Sequence, residues 1–206
     1  MTTFLLIRHG ATEWVGQRIM GWTPGISVSF SGRAEVASLA ESLAEVKLAA
    51  VYSSPLERAL DTATAIARRQ GMEASPHQAF GEIRFGDWTG RELRELDKEE
   101  HWRRWNTVRS LTRAPRGELT LEVQLRVYDA LTELRDRHPE QKVAVVSHGD
   151  PIRAVIAHLA AIPLDLALRL RIDTASVSVV RLGDWEPEIM GVNQRANGLG
   201  WLRKER

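Results

Sequence analysis

The chain has 206 residues, with 28 lysines and arginines against 27 aspartates and glutamates, and it contains no cysteine. The missing cysteine excludes a disulfide scaffold, a thiol nucleophile and a thiolate metal site. The net charge of +1 predicts no general attraction to nucleic acid or to membranes. A hydrophobic content of 43% and a charged content of 27% are ordinary for a globular protein of one domain.

Along the chain, short apolar runs alternate with longer stretches of helical period. The first run, residues 4–7, is apolar throughout and stops at Arg8, which is typical of a strand buried on both faces. Further strands are predicted at about 49–52, 143–146, 177–180 and 189–192. Helices are predicted at about 33–46, 55–69, 90–106, 120–134 and 152–159. This alternation predicts a three-layer α/β domain with a mostly parallel central sheet flanked by helices.

The whole chain, residues 1–206, is expected to form a single domain. Residues 79–118 are rich in glycine and tryptophan and lack a clear period, so we expect a small cap or insertion over the active site. The tail, about residues 193–206, is expected to be loose. The N-terminal apolar run is too short for a signal peptide, and no stretch approaches the ~20 apolar residues of a membrane span, so a cytoplasmic location is expected.

Three predicted strands end in charged or polar residues of a particular kind. Arg8 and His9 follow the first strand, Ser53-Ser54-Pro55 leads to Arg58 after the second, and Ser147-His148 follows a third. Ligands of open α/β sheets bind at the carboxyl ends of the strands. Two guanidinium groups and two imidazoles at one edge suit a phosphate group, because the arginine fork matches pairs of phosphate oxygens. A neutral imidazole is also a nucleophile toward phosphorus.

Each of these histidines is followed by a glycine, Gly10 or Gly149, which lets the backbone approach a phosphate closely. Such a site also needs a proton donor for the leaving oxygen. Glu82, in a glycine-rich and aromatic segment, is the preferred candidate, because a carboxyl beside a phosphate dianion should have a raised pKa. Asp87 and Glu13 remain alternatives for this role.

With these motifs, the sequence resembles the histidine phosphatase superfamily, also called the phosphoglycerate mutase-like family, from Thr3 to about Pro163. Four segments in the family's order carry the resemblance: Arg8-His9-Gly10-Ala11-Thr12, residues 53–63, residues 81–90 around Glu82, and Ser147-His148-Gly149. The resemblance implies that His9 becomes phosphorylated and that Glu82 donates the proton. It implies that Arg8, Arg58 and His148 hold the phosphoryl group, with Thr12 as a further contact.

The function indicated is a phosphomonoester hydrolase that acts on a small phosphorylated metabolite through phosphohistidine. A phosphoglycerate-type mutase is the alternative, and a non-catalytic phosphate-binding module is a weaker one. Val15 and Asp150 stand where mutases of the family carry Asn, and an acid near the phosphate disfavours a second negative group unless something neutralises it. Trp102-Arg103-Arg104 resembles a paired-arginine segment of the mutases, and the family's Gly-Glu-Ser element is partly kept as Gly117-Glu118-Leu119.

The sequence offers no metal cluster, and the resemblance implies neither a metal nor another cofactor. Residues 101–116 are basic and aromatic, a pattern that also occurs in nucleic-acid binders. With a neutral total charge, we rank a substrate-facing cap first, a solvated helix face with inward tryptophans second and a nucleic-acid surface last. No membrane partner is expected, and a homodimer is left open.

Overall fold

The computed structural model describes residues 1–203, in which six strands form one sheet. The strands are β1 (Thr2–Arg8), β2 (Ala50–Ser53), β3 (Ala74–Pro76), β4 (Lys142–Ser147), β5 (Val177–Leu182) and β6 (Glu188–Gln194). They are ordered β3-β2-β4-β1-β5-β6. The first four strands in this order are parallel, and β5 and β6 add two antiparallel pairings. The predicted α/β class with a mostly parallel sheet is confirmed.

Six α-helices surround the sheet. They are α1 (Phe30–Leu43), α2 (Glu57–Arg69), α3 (Leu93–Leu96), α4 (Glu100–Thr107), α5 (Thr120–Arg137) and α6 (Gly149–Leu159). The start of α1 lies three residues before the predicted one, because the Ser29 hydroxyl accepts a hydrogen bond from the Gly32 N–H (3.0 Å) and caps the helix. Local capping therefore sets this boundary rather than the apolar stripe.

Two hydrophobic cores lie on opposite faces of the sheet, as three layers require. Alternate residues of β1 enter different cores, because successive side chains of a strand point to opposite faces. Phe4 and Leu6 pack with residues of α5 and α6. Leu5 and Ile7 pack with residues of α1 and α2. The uninterrupted apolar run of β1 is thus explained by burial on both faces.

The irregular region between β3 and α5 is built around tryptophan. Single-turn 3-10 helices occur at Gln78–Phe80 and Gly86–Trp88. Trp88, Trp102 and Trp105 are buried, and their ring centroids lie 5.1–5.7 Å apart. They belong to the same core as α5 and α6. The expected cap is therefore anchored by a continuation of the main core.

The structure differs from the sequence predictions in the C-terminal segment and at one edge strand of the sheet. Residues from 193 onward were expected to be loose, but β6 extends to Gln194, and Leu199 and Leu202 are buried in the core beneath α1 and α2. Burial of these two leucines holds the segment to residue 203, while residues 204–206 lie outside the described part. Strand β3 was missed, because three residues that include a proline carry no period-2 pattern.

Within residues 1–203, none of the helices has both the length and the apolar character that a membrane span requires.

Candidate active site

The register of the parallel strands brings the three predicted motifs together. Arg8 at the end of β1 pairs with Ser147 at the end of β4, and Ser53 at the end of β2 pairs with Val146 of β4. The residues that follow these strand ends therefore meet at one edge of the sheet. The ring centroids of His9 and His148 lie 5.1 Å apart in an edge-on arrangement.

His9 is buried, with 1% of its surface exposed. Its Nδ1 lies 2.7 Å from the Gly10 carbonyl oxygen. Because a carbonyl only accepts, Nδ1 carries the proton and Nε2 keeps its lone pair. Burial lowers the pKa of His9 well below its usual value, and the charges of Arg58 and Arg8 lower it further. The imidazole is thus neutral at pH 7, which is the form that acts as a nucleophile.

His148 is fully buried and shares a 2.8 Å hydrogen bond between its Nε2 and the Ser54 hydroxyl. Its Nδ1 is buried without a hydrogen-bond partner among residues 1–203. Burial and the nearby Arg58 lower the pKa of this imidazole well below its usual value. The sequence places Ser54 only at the end of a strand. No local pattern predicts its hydrogen bond to His148, 94 positions away.

Two arginines present nitrogen atoms without protein acceptors beside the histidines. Arg58 is fully buried and uses Nη2 to bond the Gly21 carbonyl (2.9 Å), while Arg8 uses Nη1 to bond the Ile172 carbonyl (2.7 Å). Within the described chain, Arg58 Nε, Arg58 Nη1 and Arg8 Nε are buried and have no acceptor. Buried guanidinium nitrogens rarely lack acceptors, so these atoms are available to the oxygens of an anion.

Glu82 lies in the loop between the two 3-10 helices and is 9% exposed. Burial raises the pKa of its carboxyl to about 7, and the Asp150 carboxylate contributes in the same direction. Arg58 and Arg8 act in the opposite direction but do not outweigh burial. Much of Glu82 is therefore protonated near pH 7, as a general acid must be.

The alternative acids have different surroundings. Glu13 is exposed. Asp87 is 42% exposed at its side chain and pairs with Arg116. Neither carboxyl is buried as Glu82 is. The geometry favours Glu82 among the three.

Thr12 and Gly149 also lie near the strand ends. The Thr12 hydroxyl donates to the Met20 sulfur at 3.1 Å. Gly149 begins α6, and a Cβ there would lie 3.5 Å from Arg8 Nε. The backbone of Gly149 thus packs directly beside the Arg8 guanidinium.

A buried ion cluster next to His148 was not predicted. Asp150 Oδ1 accepts hydrogen bonds from Arg109 Nη1 (2.9 Å) and Arg153 Nη1 (3.0 Å). Burial alone would raise the pKa of Asp150, but the two guanidinium groups hold it below its ordinary value. Arg109 also lies 3.9 Å above the Trp105 ring. The sequence showed the acid but gave no sign that Arg109, 41 positions away, and Arg153, three residues further along the same helix, neutralise it.

The basic and aromatic segment, residues 101–116, contacts the site through Arg109, which bonds Asp150. Among the residues described, its other arginines show no such bond. Trp102 and Trp105 are buried, whereas Arg103 and Arg104 are exposed. Helix α4 therefore matches the second-ranked interpretation, a solvated face with inward tryptophans. Across residues 1–203, no cluster of three or more His, Asp or Glu side chains is arranged to hold a metal ion.

Two histidines and two arginines thus meet at the carboxyl edge of a mostly parallel α/β sheet. Residues 4–195 match the family described as the histidine phosphatase superfamily, branch 1, and the chain belongs to this family. It is 32% identical over 197 residues to phosphoserine phosphatase 1 of Hydrogenobacter thermophilus, covering 94% of this chain and 92% of that protein. It is 30% identical to phosphoglycerate mutase-like protein 4 of Arabidopsis thaliana, covering 97% and 89%.

Solved structures give the same result. Bacillus stearothermophilus YhfR superposes with a TM-score of 0.86 at 28% identity, over 93% of this chain and 96% of that one. A mycobacterial glucosyl-3-phosphoglycerate phosphatase superposes with a TM-score of 0.82 at 26% identity, over 93% and 98%. The predicted family, fold and enzyme class, a phosphoglycerate mutase-like phosphatase, are confirmed.

Proposed function

We propose that the protein hydrolyses the phosphate ester of a small metabolite through a phosphohistidine formed on His9. The observation that carries the proposal is the neutral, buried His9 beside three guanidinium nitrogens without acceptors in the described chain. This arrangement supplies a nucleophile and the positive charge that a phosphate dianion needs. Phosphoryl transfer depends mainly on such positioning and charge stabilisation.

In the first step, the lone pair of His9 Nε2 forms a bond to phosphorus while the bond from phosphorus to the ester oxygen breaks. The leaving oxygen takes the electron pair of that bond and receives the proton of Glu82, so the alcohol departs neutral. The Nδ1–H of His9 keeps its hydrogen bond to the Gly10 carbonyl. That bond stabilises the positive charge which develops on the imidazole ring.

In the second step, a water molecule attacks the phosphorus of phosphohistidine and the Nε2–phosphorus bond breaks. The Glu82 carboxylate left by the first step accepts a proton from this water. His9 then returns to its neutral form, and inorganic phosphate leaves. Arg8 and Arg58 hold the three outer oxygens in both steps, with His148 as a further donor. Thr12 and Gly149 complete the proposed phosphate contacts.

The substrate proposed is a small phosphorylated metabolite. Two relatives support this size class, since one is named a phosphoserine phosphatase and one a glucosyl-3-phosphoglycerate phosphatase. The ion cluster bears on the choice, because Asp150 carries one negative charge between Arg109 and Arg153. The site is therefore cationic overall and tolerates a substrate with a second anionic group.

This finding weakens one argument against a mutase. Asp150 was expected to repel a second negative group, but its neutralisation by two arginines removes that repulsion. The mutase alternative is kept, and one relative is named mutase-like. Hydrolysis remains preferred, because Val15 and Asp150 replace the asparagines of the mutases and relatives are named phosphatases.

We further propose that the enzyme works without a metal or other cofactor and in the cytoplasm. Arg8 and Arg58 supply the positive charge that metal ions provide in other phosphoryl-transfer sites. A nucleic-acid partner and a membrane partner are not proposed, because the net charge is only +1. A homodimer stays open.

The test is a panel of phosphate esters, assayed for released phosphate with and without 2,3-bisphosphoglycerate. We expect at least one small ester to yield free phosphate and alcohol in equal amounts, unaffected by the bisphosphate. Fast interconversion of 2- and 3-phosphoglycerate with little free phosphate would establish the mutase. No turnover of any ester, with phosphate binding retained, would favour the binding module.

A further inference from the structure

The proposed general acid lies on a part of the chain without a regular element. Residues 81–85 connect the 3-10 helices Gln78–Phe80 and Gly86–Trp88. A loop carries a side chain to a fixed position only where other elements hold its backbone. The contacts of residues 79–87, which we call the acid segment, therefore decide where the Glu82 proton is delivered.

Arg126 of α5 holds the acid segment at two points. Its Nη2 donates to the Glu82 carbonyl oxygen at 3.0 Å, and its Nη1 donates to the Ala79 carbonyl oxygen. The side chain is 22% exposed, so these bonds are shielded from much of the solvent. Trp22 Nε1 donates to the same Glu82 carbonyl at 2.7 Å. The backbone of Glu82 is thus fixed by two donors from outside the segment.

Glu118 holds the segment from the other end. Its Oε2 accepts the Arg84 N–H at 2.8 Å, and its own N–H donates to the Arg84 carbonyl at 2.8 Å. The same carboxylate pairs with Arg126, with 3.3 Å between Oε1 and Nε. Glu118 and Arg126 therefore form one unit that contacts the backbone at residues 79, 82 and 84.

The turn that carries Glu118 packs so closely against the acid segment that only glycine fits at two of the contacting positions. A Cβ at Gly117 would lie 2.0 Å from the Arg84 carbonyl oxygen. Gly86 has a positive φ of 54°, and a Cβ there would lie 1.9 Å from the Pro115 carbonyl oxygen. Asp87 N–H donates to that Pro115 oxygen at 3.0 Å. Gly117 is thus required by the close backbone contact with Arg84, and Glu118 forms two hydrogen bonds with the Arg84 backbone.

We propose that Arg126 and Glu118 are positioning residues for the reaction, which hold the backbone of the acid segment so that the Glu82 carboxyl faces the leaving oxygen. The proposal rests on the proposed role of Glu82 as proton donor. Their bonds to the segment go to backbone atoms, so they act through Glu82 rather than on the ester itself. Their removal should therefore matter most for substrates that need the proton.

The test compares two esters in the Arg126→Met and Glu118→Gln proteins. Glycerol 2-phosphate has a basic leaving oxygen and needs the proton, whereas 4-nitrophenyl phosphate leaves readily without it. We expect Arg126→Met to lower kcat about 10-fold or more on the first ester and less than about 3-fold on the second. Arg126→Lys, which keeps a donor, should recover part of the loss. Thermal unfolding of each protein shows that it is folded.

The Glu82→Gln background separates positioning from general damage. If Arg126 acts through Glu82, Arg126→Met should add no further difference between the two esters once Glu82 is replaced. Asp136→Asn, which breaks an exposed ion pair on the same helix, is the matched control and should leave both rates unchanged.

Each result has a definite reading. A selective loss in Glu82→Gln together with equal losses on both esters in Arg126→Met and Glu118→Gln would overturn the positioning roles and leave the acid assignment intact. Equal losses in Glu82→Gln itself would overturn the acid assignment and the positioning proposal with it. Should Arg126→Met fail to fold, Arg126→Lys and Glu118→Gln still give the comparison.

Discussion

The strand-end cluster, which comprises Arg8, His9, Arg58 and His148, and the acid segment contribute reacting groups in different ways. The first cluster follows adjacent parallel strands, whose register fixes its geometry. The acid segment is irregular and is held by side chains of α5 and of a neighbouring turn. The regular fold thus positions the proposed nucleophile, whereas tertiary contacts position the proposed acid.

The surroundings of His9 and of Glu82 shift the pKa values of these two groups in opposite directions. Burial and neighbouring arginines both lower the pKa of His9, so the proposed nucleophile is neutral. Burial raises the pKa of Glu82, whereas the same arginines lower it, and burial prevails. His9 is thus neutral at pH 7, whereas Glu82 keeps a substantial part of its proton there.

The largest expected effect comes from breaking the strand-end cluster. His9→Ala should lower turnover by at least about 10⁴-fold, because the reaction loses its proposed phosphoryl acceptor. Steady-state kinetics measure the loss, and His101→Ala, which replaces an exposed histidine, serves as the control with unchanged turnover. Substantial turnover by His9→Ala would show that another group accepts the phosphoryl.

The next effect concerns the acid segment. Glu82→Gln should lose about 10²–10⁴-fold on an alkyl phosphate and clearly less on 4-nitrophenyl phosphate, because only the alkyl leaving oxygen needs a proton. Comparison of kcat on the two esters measures the difference. Asp87→Asn should leave both rates nearly unchanged; a selective loss there would transfer the role to Asp87.

The pH profile sharpens the contrast between the two regions. For an alkyl phosphate, kcat/KM should fall as the pH rises through about 7, because Glu82 loses its proton there. On the acid side, His9 should stay neutral well below its usual pKa. The alkaline fall should vanish in Glu82→Gln, and its persistence would assign the fall to another group.

The same raised pKa has a consequence for stability. Between about pH 4.5 and about 7 the folded protein keeps the Glu82 proton that the unfolded chain loses. The free energy of unfolding should therefore decrease as the pH rises through this window. Denaturant titrations of wild type and Glu82→Gln measure the contribution as a difference, and a difference that stays constant with pH would contradict it.

A smaller effect is expected from the ion cluster. Asp150→Asn removes a negative charge that raises the pKa of Glu82, so the alkaline fall of kcat/KM should move to lower pH. On an alkyl phosphate at pH 7.5 the loss from this cause should be on the order of 3-fold. A shift to higher pH would contradict the contribution of the Asp150 charge to the pKa of Glu82.

The smallest expected effect is that of metal removal. Dialysis against excess chelator should leave the turnover of every ester unchanged, because Arg8 and Arg58 already supply the positive charge. Added Mg²⁺, Mn²⁺ or Zn²⁺ should not increase it. Loss of activity that one of these ions restores would contradict the proposal of metal independence.

The sequence predicts a feature correctly where a local residue pattern is enough to determine the position of that feature in the sheet. The apolar run of residues 4–7 predicts a strand buried on both faces, and the charged residues after it predict a site at the end of that strand. The parallel edge then brings Arg8, His9 and His148 together without further information. Glu82 was the preferred acid from its glycine-rich and aromatic segment, and the family resemblance implied the same role, which no periodicity shows.

The remaining features depend on contacts between distant residues. Arg109 reaches Asp150 across 41 positions, and Arg126 reaches Glu82 across 44. Nothing local to either arginine distinguishes it from the exposed Arg103 and Arg104. The ordered tail was missed for the same reason, since the burial of Leu199 and Leu202 is decided by the helices that cover them.

The central claim is a phosphoryl group carried on His9 and then passed to water. Rapid quenching of a labelled substrate in base should trap a base-stable, acid-labile adduct at up to one per chain, on the peptide that contains His9. In a second sample, kept active and chased with unlabelled alcohol, the label should leave as free phosphate. An adduct on another residue, its survival in His9→Ala, or return of the label to an ester would contradict this account.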